Sequence, residues 1–207
     1  MRRIVTFNHV SADGYFSGPD GNLNWVVQDP ELDRSVAAAI ERSDSDAGGD
    51  TILFGRRTYE QFESFWPRAL DDSPTSPDPH HAGRRSPEIR AMAVMLNEAT
   101  KLVFSRTRKD LSWRNSRLLH EFDPHEIEAL KRQPGKDIMI FGSGSIVSQL
   151  TQHCLIDEYR FVVGPILLGS GRQLISGVPQ TLKLDLLEAK AFPSGNVRLR
   201  YTHPSSP

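Results

Sequence analysis

The sequence predicts an α/β protein built on a mainly parallel sheet with an antiparallel edge, helices lying on both faces. Three observations carry this. Apolar runs of strand length alternate with segments of helical spacing through most of the chain. Three of these runs end in small or hydroxyl residues: TILF before Gly55, KLVF before Ser105 and IMIF before Gly142. The last part changes to two strand-like segments around Phe192-Pro193-Ser194-Gly195, which adds antiparallel strands. With no internal repeat and no dividing linker, the 207 residues are expected to form a single domain, 1–207.

Taken in order, Arg3–Val10 alternates, is rich in strand formers and ends at Ser11-Ala12-Asp13-Gly14. Tyr15–Leu23 is a glycine-rich loop with a turn at Pro19-Asp20-Gly21, either a mobile lid beside a ligand or a plain connection. Asp29 before Pro30 reads as an N-cap followed by the first helical position. That helix runs through Leu32, Val36, Ala37 and Ile40 and breaks near Asp46–Gly49. Thr51–Phe54 is a buried strand, leading through Gly55-Arg56-Arg57-Thr58 into a helix with Tyr59, Phe62 and Phe65 inward. Pro67–Pro87 is rich in Pro, Asp, Ser, His and Arg and reads as an exposed insertion. Its pair His80-His81 lacks the surrounding ligand set that a metal needs, so no metal site is expected.

A helix over Pro87–Ala99, a strand over Lys101–Phe104, a short strand within Trp113–Leu119 and a helix capped by Asp123-Pro124 come next. The strand Ile138–Phe141 then meets Gly142-Ser143-Gly144-Ser145 and a helix over Ser145–His153. Asp157–Val163 is a strand ending at Gly164-Pro165, and Ile166–Gly177 is a second glycine-rich loop. Leu182–Ala191 and Asn196–His203 are the two antiparallel strands.

Composition narrows the function classes. With 38% hydrophobic and 25% charged residues the chain can build a core and belongs to the soluble globular class. A net charge of -1 argues against nucleic acid as a partner and leaves any anion site to a local cluster. The single cysteine, Cys154 in QHCLIDE, reads as a small buried hydrophobe. The N-terminus passes straight into a strand, and no apolar run approaches membrane-spanning length, so a cytoplasmic protein with no membrane partner is expected.

The chemistry concentrates at three strand ends: Gly55-Arg56-Arg57-Thr58, Ser105-Arg106-Thr107 and Gly142-Ser143-Gly144-Ser145. Ligands of open α/β sheets bind at the carboxyl ends of the strands, so these segments share one edge if their strands are parallel neighbours. A glycine turn opening a helix offers backbone N–H groups at the positive end of the helix dipole, which suits a pyrophosphate. Arginines add bidentate, charge-assisted bonds to a further phosphate. A ligand with two separated phosphate groups, such as NADPH, fits this layout. Neither G-x-G-x-x-G after the first strand nor a P-loop is present.

These residues resemble the dihydrofolate reductase superfamily, in particular the branch of the C-terminal reductase domain of riboflavin biosynthesis and its stand-alone relatives. The matching pieces are Ser11-Ala12-Asp13-Gly14-Tyr15, Gly55-Arg56-Arg57-Thr58-Tyr59-Glu60, Val103-Phe104-Ser105-Arg106-Thr107, Ile140-Phe141-Gly142-Ser143-Gly144-Ser145 and Asp157-Glu158-Tyr159 through Gly164-Pro165-Ile166-Leu167-Leu168-Gly169-Ser170-Gly171. The resemblance implies about eight mostly parallel strands, NADPH as cofactor and a homodimer. It places Gly142, Ser143, Gly144, Ser145 and the following Ile146 on the pyrophosphate. Gly55, Arg56, Arg57, Thr58, Ser105 and Arg106 fall on the adenosine-side phosphates, and Phe16 and Gly18 near the nicotinamide. Trp25, Tyr59 and Phe62 are candidates to stack on a flat substrate, with core packing as their alternative; Gly164 and Pro165 are further expected substrate contacts, with Arg172 in the second glycine loop for a substrate phosphate.

Two carboxylates are candidates for the catalytic group. A dihydrofolate reductase holds its pterin with a carboxylate a few residues after a tryptophan; here Trp25 is present and Asp29 and Glu31 flank that place, at Pro30, so Asp29 is the candidate, and the alternative is that it only caps the helix. Asp13 follows the first strand, with a turn aspartate as its alternative. The implied activity is NADPH-dependent reduction of a small heterocycle. The riboflavin-pathway reaction, reduction of the ribose of an aminopyrimidine ribosyl phosphate, comes first. A pterin-type reductase or a non-catalytic NADPH-binding protein is the alternative.

Overall fold

Residues 1–41, 49–71, 86–179 and 181–204 are described by the computed structural model. The strands are β1 (Ile4–Ser11), β2 (Tyr15–Ser17), β3 (Gly49–Gly55), β4 (Thr100–Phe104), β5 (Ser116–Leu119), β6 (Asp137–Phe141), β7 (Glu158–Gly164), β8 (Arg172–Gln173), β9 (Asp185–Ala191) and β10 (Val197–Thr202). The helices are α1 (Pro30–Glu41), α2 (Arg56–Phe65), α3 (Pro87–Glu98), α4 (Pro124–Arg132) and α5 (Gly144–Gln152). Eight strands form one sheet in the order β5-β4-β3-β6-β1-β7-β10-β9. The first six are parallel. β10 and β9 run antiparallel at the edge.

Alternation along each strand divides the core between the two faces. Ile4, Leu53, Leu102, Ile138 and Ile140 point to one side, where Ile127 of α4 and Ile146, Val147 and Leu150 of α5 cover them. Their neighbours Val5, Ile52, Phe54, Val103, Met139 and Phe141 point to the other, against Tyr59 of α2, Leu96 of α3 and Trp113. Leu32 of α1 packs on Val162 and Phe192, with Phe7 beside them. Burial on both faces is what a parallel sheet requires, and it explains why these runs are continuously apolar.

The amino-terminal edge of the parallel strands is ionic. Arg2 Nε donates to the Lys136 carbonyl at 2.6 Å, and its guanidinium pairs with Asp50. Arg3 pairs with Asp137 at 2.6 Å, and Lys131 pairs with Asp157 at 2.7 Å. Glu158, buried at the start of β7, accepts from Arg160 Nε and Arg200 Nε at 2.7 Å each and faces Arg3 at 3.3 Å. Burial pushes the Glu158 carboxyl up, but the Arg160 and Arg200 guanidinium groups outweigh it and hold the group below its ordinary value. Lys101, also buried, points its ammonium at the carbonyl end of α3, donating to Leu96 at 2.8 Å and Ala99 at 2.7 Å. Burial brings its pKa down to about 8.

Several sequence expectations change. Cys154 is exposed, in a left-handed conformation (φ 53°) just past α5; its apolar neighbours in sequence turn inward while it faces out. The expected insertion begins later than Pro67, because Trp66–Arg68 forms a 3-10 turn and Ala69 is fully buried. His80-His81, most of Pro67–Pro87 and the expected helix break near 46–49 up to residue 48 lie outside the described residues. The two glycine loops each contain a short strand, β2 and β8, which pair antiparallel.

Glu158→Gln is expected to cost about 3 kcal/mol at pH 7, because it removes the buried charge with which the Arg160 guanidinium pairs. The lowered carboxyl gives the sign: the loss is full above the ordinary value of 4.5 and shrinks as pH falls below it. Urea denaturation of both proteins at pH 7 and in acid checks this.

Candidate functional site

The carboxyl ends of β4, β3, β6 and β1 are neighbours along one edge, and a cleft of about 1430 Å³ opens there. Gly55, Arg56, Arg57 and Thr58 line it after β3, Ser105 and Arg106 after β4, and Gly142, Ser143, Gly144 and Ser145 after β6. Phe16 comes from the first loop and Phe62 from α2. The three chemistry-bearing segments thus share one groove.

The turn after β6 is held by bonds from its neighbour. Gly142 and Ser143 both have φ 55°, and a side chain at Gly142 would meet Thr58 Cγ2 at 3.2 Å. Ser143 tolerates the left-handed region because its Oγ accepts from Gly55 N–H at 3.0 Å and its own N–H donates to Thr58 Oγ1 at 3.1 Å. Its carbonyl accepts from Ile146 and Val147 N–H at 2.8 and 3.0 Å, starting α5. The N–H groups of Gly144 and Ser145, first in the helix, have no intrahelical acceptor. A Cβ on Gly144 would stand 2.9 Å from the Phe16 ring, so glycine is required where the first loop closes on the turn.

The arginines divide into held and free. Arg56 is paired with Glu60 at 3.0 Å. Arg57 and Arg106 are exposed side chains of the groove. Ser105 Oγ accepts from Thr107 and Arg108 N–H at 3.3 and 3.0 Å, so its hydroxyl shapes the turn that carries Arg106. Thr58 likewise braces the glycine turn. The Thr58 role is not visible in the sequence, since its partner Ser143 lies on another segment.

Asp29 lines the groove but its carboxylate is committed. Oδ1 accepts from Glu31 and Leu32 N–H at 2.9 Å each, which is the helix cap, and Oδ2 accepts from Ser194 Oγ. Burial pushes this carboxyl up, and the Ser194 hydroxyl with the two N–H groups outweighs it and leaves the group below the usual range. Asp13 is outside the groove. Its Oδ1 accepts from Ser11 Oγ at 2.6 Å and Leu168 N–H at 3.1 Å, and Oδ2 from Gly169 N–H at 2.7 Å. These bonds bring its pKa to about 2. With Ala12 N–H to Ile166 O at 2.8 Å and the β2–β8 pair, they fasten the first glycine loop to the second.

Other expected contacts lie elsewhere. Tyr59 is fully buried, its hydroxyl against Glu63 at 3.1 Å and Ser116 at 3.3 Å; the inward spacing of α2 carries it into the core, which corrects its reading as a substrate contact. Trp25 packs on Gly164 outside the groove, and Pro165 packs beside Gly195. Gly18 forms a turn with Asn22 outside the lining, and the Ile146 side chain is in the core. Arg172, on β8, does line the groove beside Gly21. Among the described residues no group of three His, Cys, Asp or Glu is placed to hold a metal, and no helix is long and apolar enough to cross a membrane.

The Asp13 latch has a measurable signature. In Asp13→Ala the Leu168 and Gly169 amides are expected to exchange about tenfold faster or more, as freed loop N–H groups do. In the parent protein their NMR shifts stay constant from neutral pH down and move only near the Asp13 pKa of about 2.

Comparison with known proteins agrees with this architecture. YyaP of Bacillus subtilis (strain 168), an uncharacterized protein, is 28% identical over 201 residues, covering 97% of this chain and 95% of its own. A Shewanella sp. PV-4 protein named for riboflavin biosynthesis superposes with a TM-score of 0.70 at 20% identity, covering 98% of this chain and 99% of that one. The diaminohydroxyphosphoribosylaminopyrimidine deaminase/5-amino-6-(5-phosphoribosylamino)uracil reductase of Thermotoga maritima gives 0.62 at 13% identity, with 98% of this chain matching 57% of that one. Dihydrofolate reductase of Enterococcus faecalis, complexed with NADP(H), gives 0.58 at 12% identity over 98% and 97% of the two chains. The fold is therefore dihydrofolate reductase-like. The family described as the RibD C-terminal domain matches residues 2–198, and the chain belongs to that family.

Proposed function

We propose that this protein is an NADPH-dependent reductase of a small heterocyclic substrate. The observation that carries the reading is the convergence of three strand-end segments on one groove, where free helix N–H groups and arginine side chains stand together. The residues fit the cofactor: the left-handed Gly142-Ser143 turn leaves the N–H groups of Gly144 and Ser145 for a pyrophosphate. Arg57 and Arg106 suit the additional phosphate, with Arg56 held back by Glu60. Bound there, NADPH supplies a hydride for an electrophilic carbon or C=N of the substrate.

The chain's own part is to position the partners and exclude water. Phe16, seated against Gly144, covers the turn from the first loop. Asp29 is charged at neutral pH and its oxygens are taken, so it acts as a positioning residue that ties α1 to Ser194, and the proton comes from water. The named reaction placed first is reduction of 5-amino-6-(5-phosphoribosylamino)uracil, with dihydropterin reduction as the other candidate. The commitment of Asp29 favours one second reading, a protein that binds NADPH without turnover.

Fluorescence titration of NADPH and NADH, followed by a substrate screen, tests the proposal. In Arg57→Ala/Arg106→Ala, NADPH binding is expected to weaken about tenfold or more and NADH less than about threefold, since the lost groups pair with the extra phosphate. Equal losses contradict the assignment. We also propose a homodimer: the outer strand β9 exposes Leu186 (55%) and Leu187 (53%), an apolar edge of the kind that pairing covers. Light scattering is expected to give twice the 23.2 kDa chain mass, and Leu186→Lys/Leu187→Lys to shift it to the monomer.

A further inference from the structure

The groove is divided by charge. Its arginines, Arg56, Arg57, Arg106 and Arg172, sit at the start of α2, on the turn after β4 and on β8. The other end, walled by α1, α2, the 3-10 turn and α3, presents Val36, Phe62, Trp66 and Met92 over a floor of Phe7 and Phe141. Phe62 stacks on Phe141 with centroids 6.0 Å apart at 28°, and Trp66 lies 6.1 Å from Phe62. Phe7, Phe62, Trp66 and Met92 pack against the core yet remain half-buried, so an apolar, aromatic surface is left facing the groove. The cap of α1, α1 itself and α3 add the carboxylates Asp29, Asp33 and Glu88 to the lining, and the Arg34 cation stands near Glu88.

Resting on the reductase reading for its role as hydride acceptor, but against the phosphorylated one of its two named substrates, we propose that the substrate is an uncharged, flat ring compound without a phosphate. Aromatic walls reward a flat apolar face by area removed from water and by offset stacking. A phosphate dianion placed there is desolvated against hydrocarbon. The ring's electrophilic carbon accepts the hydride of NADPH, an adjacent ring atom takes a proton from water, and NADP+ is the other product.

Calorimetry on the full chain without cofactor tests this with three probes: quinazoline-2,4-dione, 5-amino-6-ribosylaminouracil and the same nucleoside carrying its 5′-phosphate. Quinazoline-2,4-dione is expected to bind about tenfold tighter or more than either nucleoside, with the phosphate gaining less than about threefold. A phosphorylated form that binds about tenfold tighter than its nucleoside, or no measurable binding of quinazoline-2,4-dione, overturns the proposal. Met92→Ser and, as a second variant at a half-buried site, Val36→Ser are each expected to weaken quinazoline-2,4-dione about tenfold while NADPH binding is kept; unchanged ring affinity in both counts against it. NADPH titration of the same samples keeps the two readings apart. Loss of the cofactor result removes the reductase assignment, and the ring preference, measured without cofactor, is judged by itself.

Discussion

Two hydrogen bonds between adjacent strand ends set the geometry of the groove. Gly55 N–H donates to Ser143 Oγ at 3.0 Å, and Ser143 N–H donates to Thr58 Oγ1 at 3.1 Å. They are possible because β3 and β6 are parallel neighbours, so that the start of α2 and the turn into α5 leave the sheet side by side. The exchange holds Ser143 in a left-handed conformation that a serine rarely adopts and turns the amino terminus of α5 toward the cleft. The same lacing sets Arg56 and Arg57 beside the glycine turn. Without that contact the three segments remain separate loops on a sheet edge.

The two edges of the sheet are built differently. At the amino-terminal edge, carboxylates and guanidinium groups satisfy one another: Asp50 with Arg2, Asp137 with Arg3, Glu158 with Arg160 and Arg200. At the carboxyl-terminal edge the helix N–H groups and Arg57 and Arg106 face a cleft. A parallel sheet covered on both faces offers its loops at only these two edges. One is tied together by ion pairs, and the other is left open as a cleft.

Much of this was legible because it follows from period and punctuation. TILF, KLVF and IMIF were readable as buried strands, and their small-residue ends as one edge, because a parallel sheet needs exactly this kind of apolar run. Asp29-Pro30 declared its cap, and the structure places that cap on the Glu31 and Leu32 N–H groups. What escaped has a common physical cause: it depends on partners distant in sequence. Helical spacing put Tyr59 inward but did not show that Trp113 and Ser116 enclose it. Strands of two or three residues, such as β2 and β8, carry no period, so the join between the glycine loops was invisible and the first loop read as an open question between lid and connection. Lys101, of a residue type that is mostly exposed, is buried because the end of α3 supplies carbonyls for its ammonium.

The placement of β1 carries a consequence for how the chain is made. Ile4 pairs with Ile138, and Thr6 pairs with Tyr159, so the first strand of the sheet has both of its neighbours far downstream in the polypeptide. While the ribosome is still translating the middle of the chain, this hydrophobic segment has nowhere to dock and must be kept from wrong pairings for well over a hundred residues. High contact order of this kind slows folding, and nascent-chain chaperones gain a long window in which to hold it.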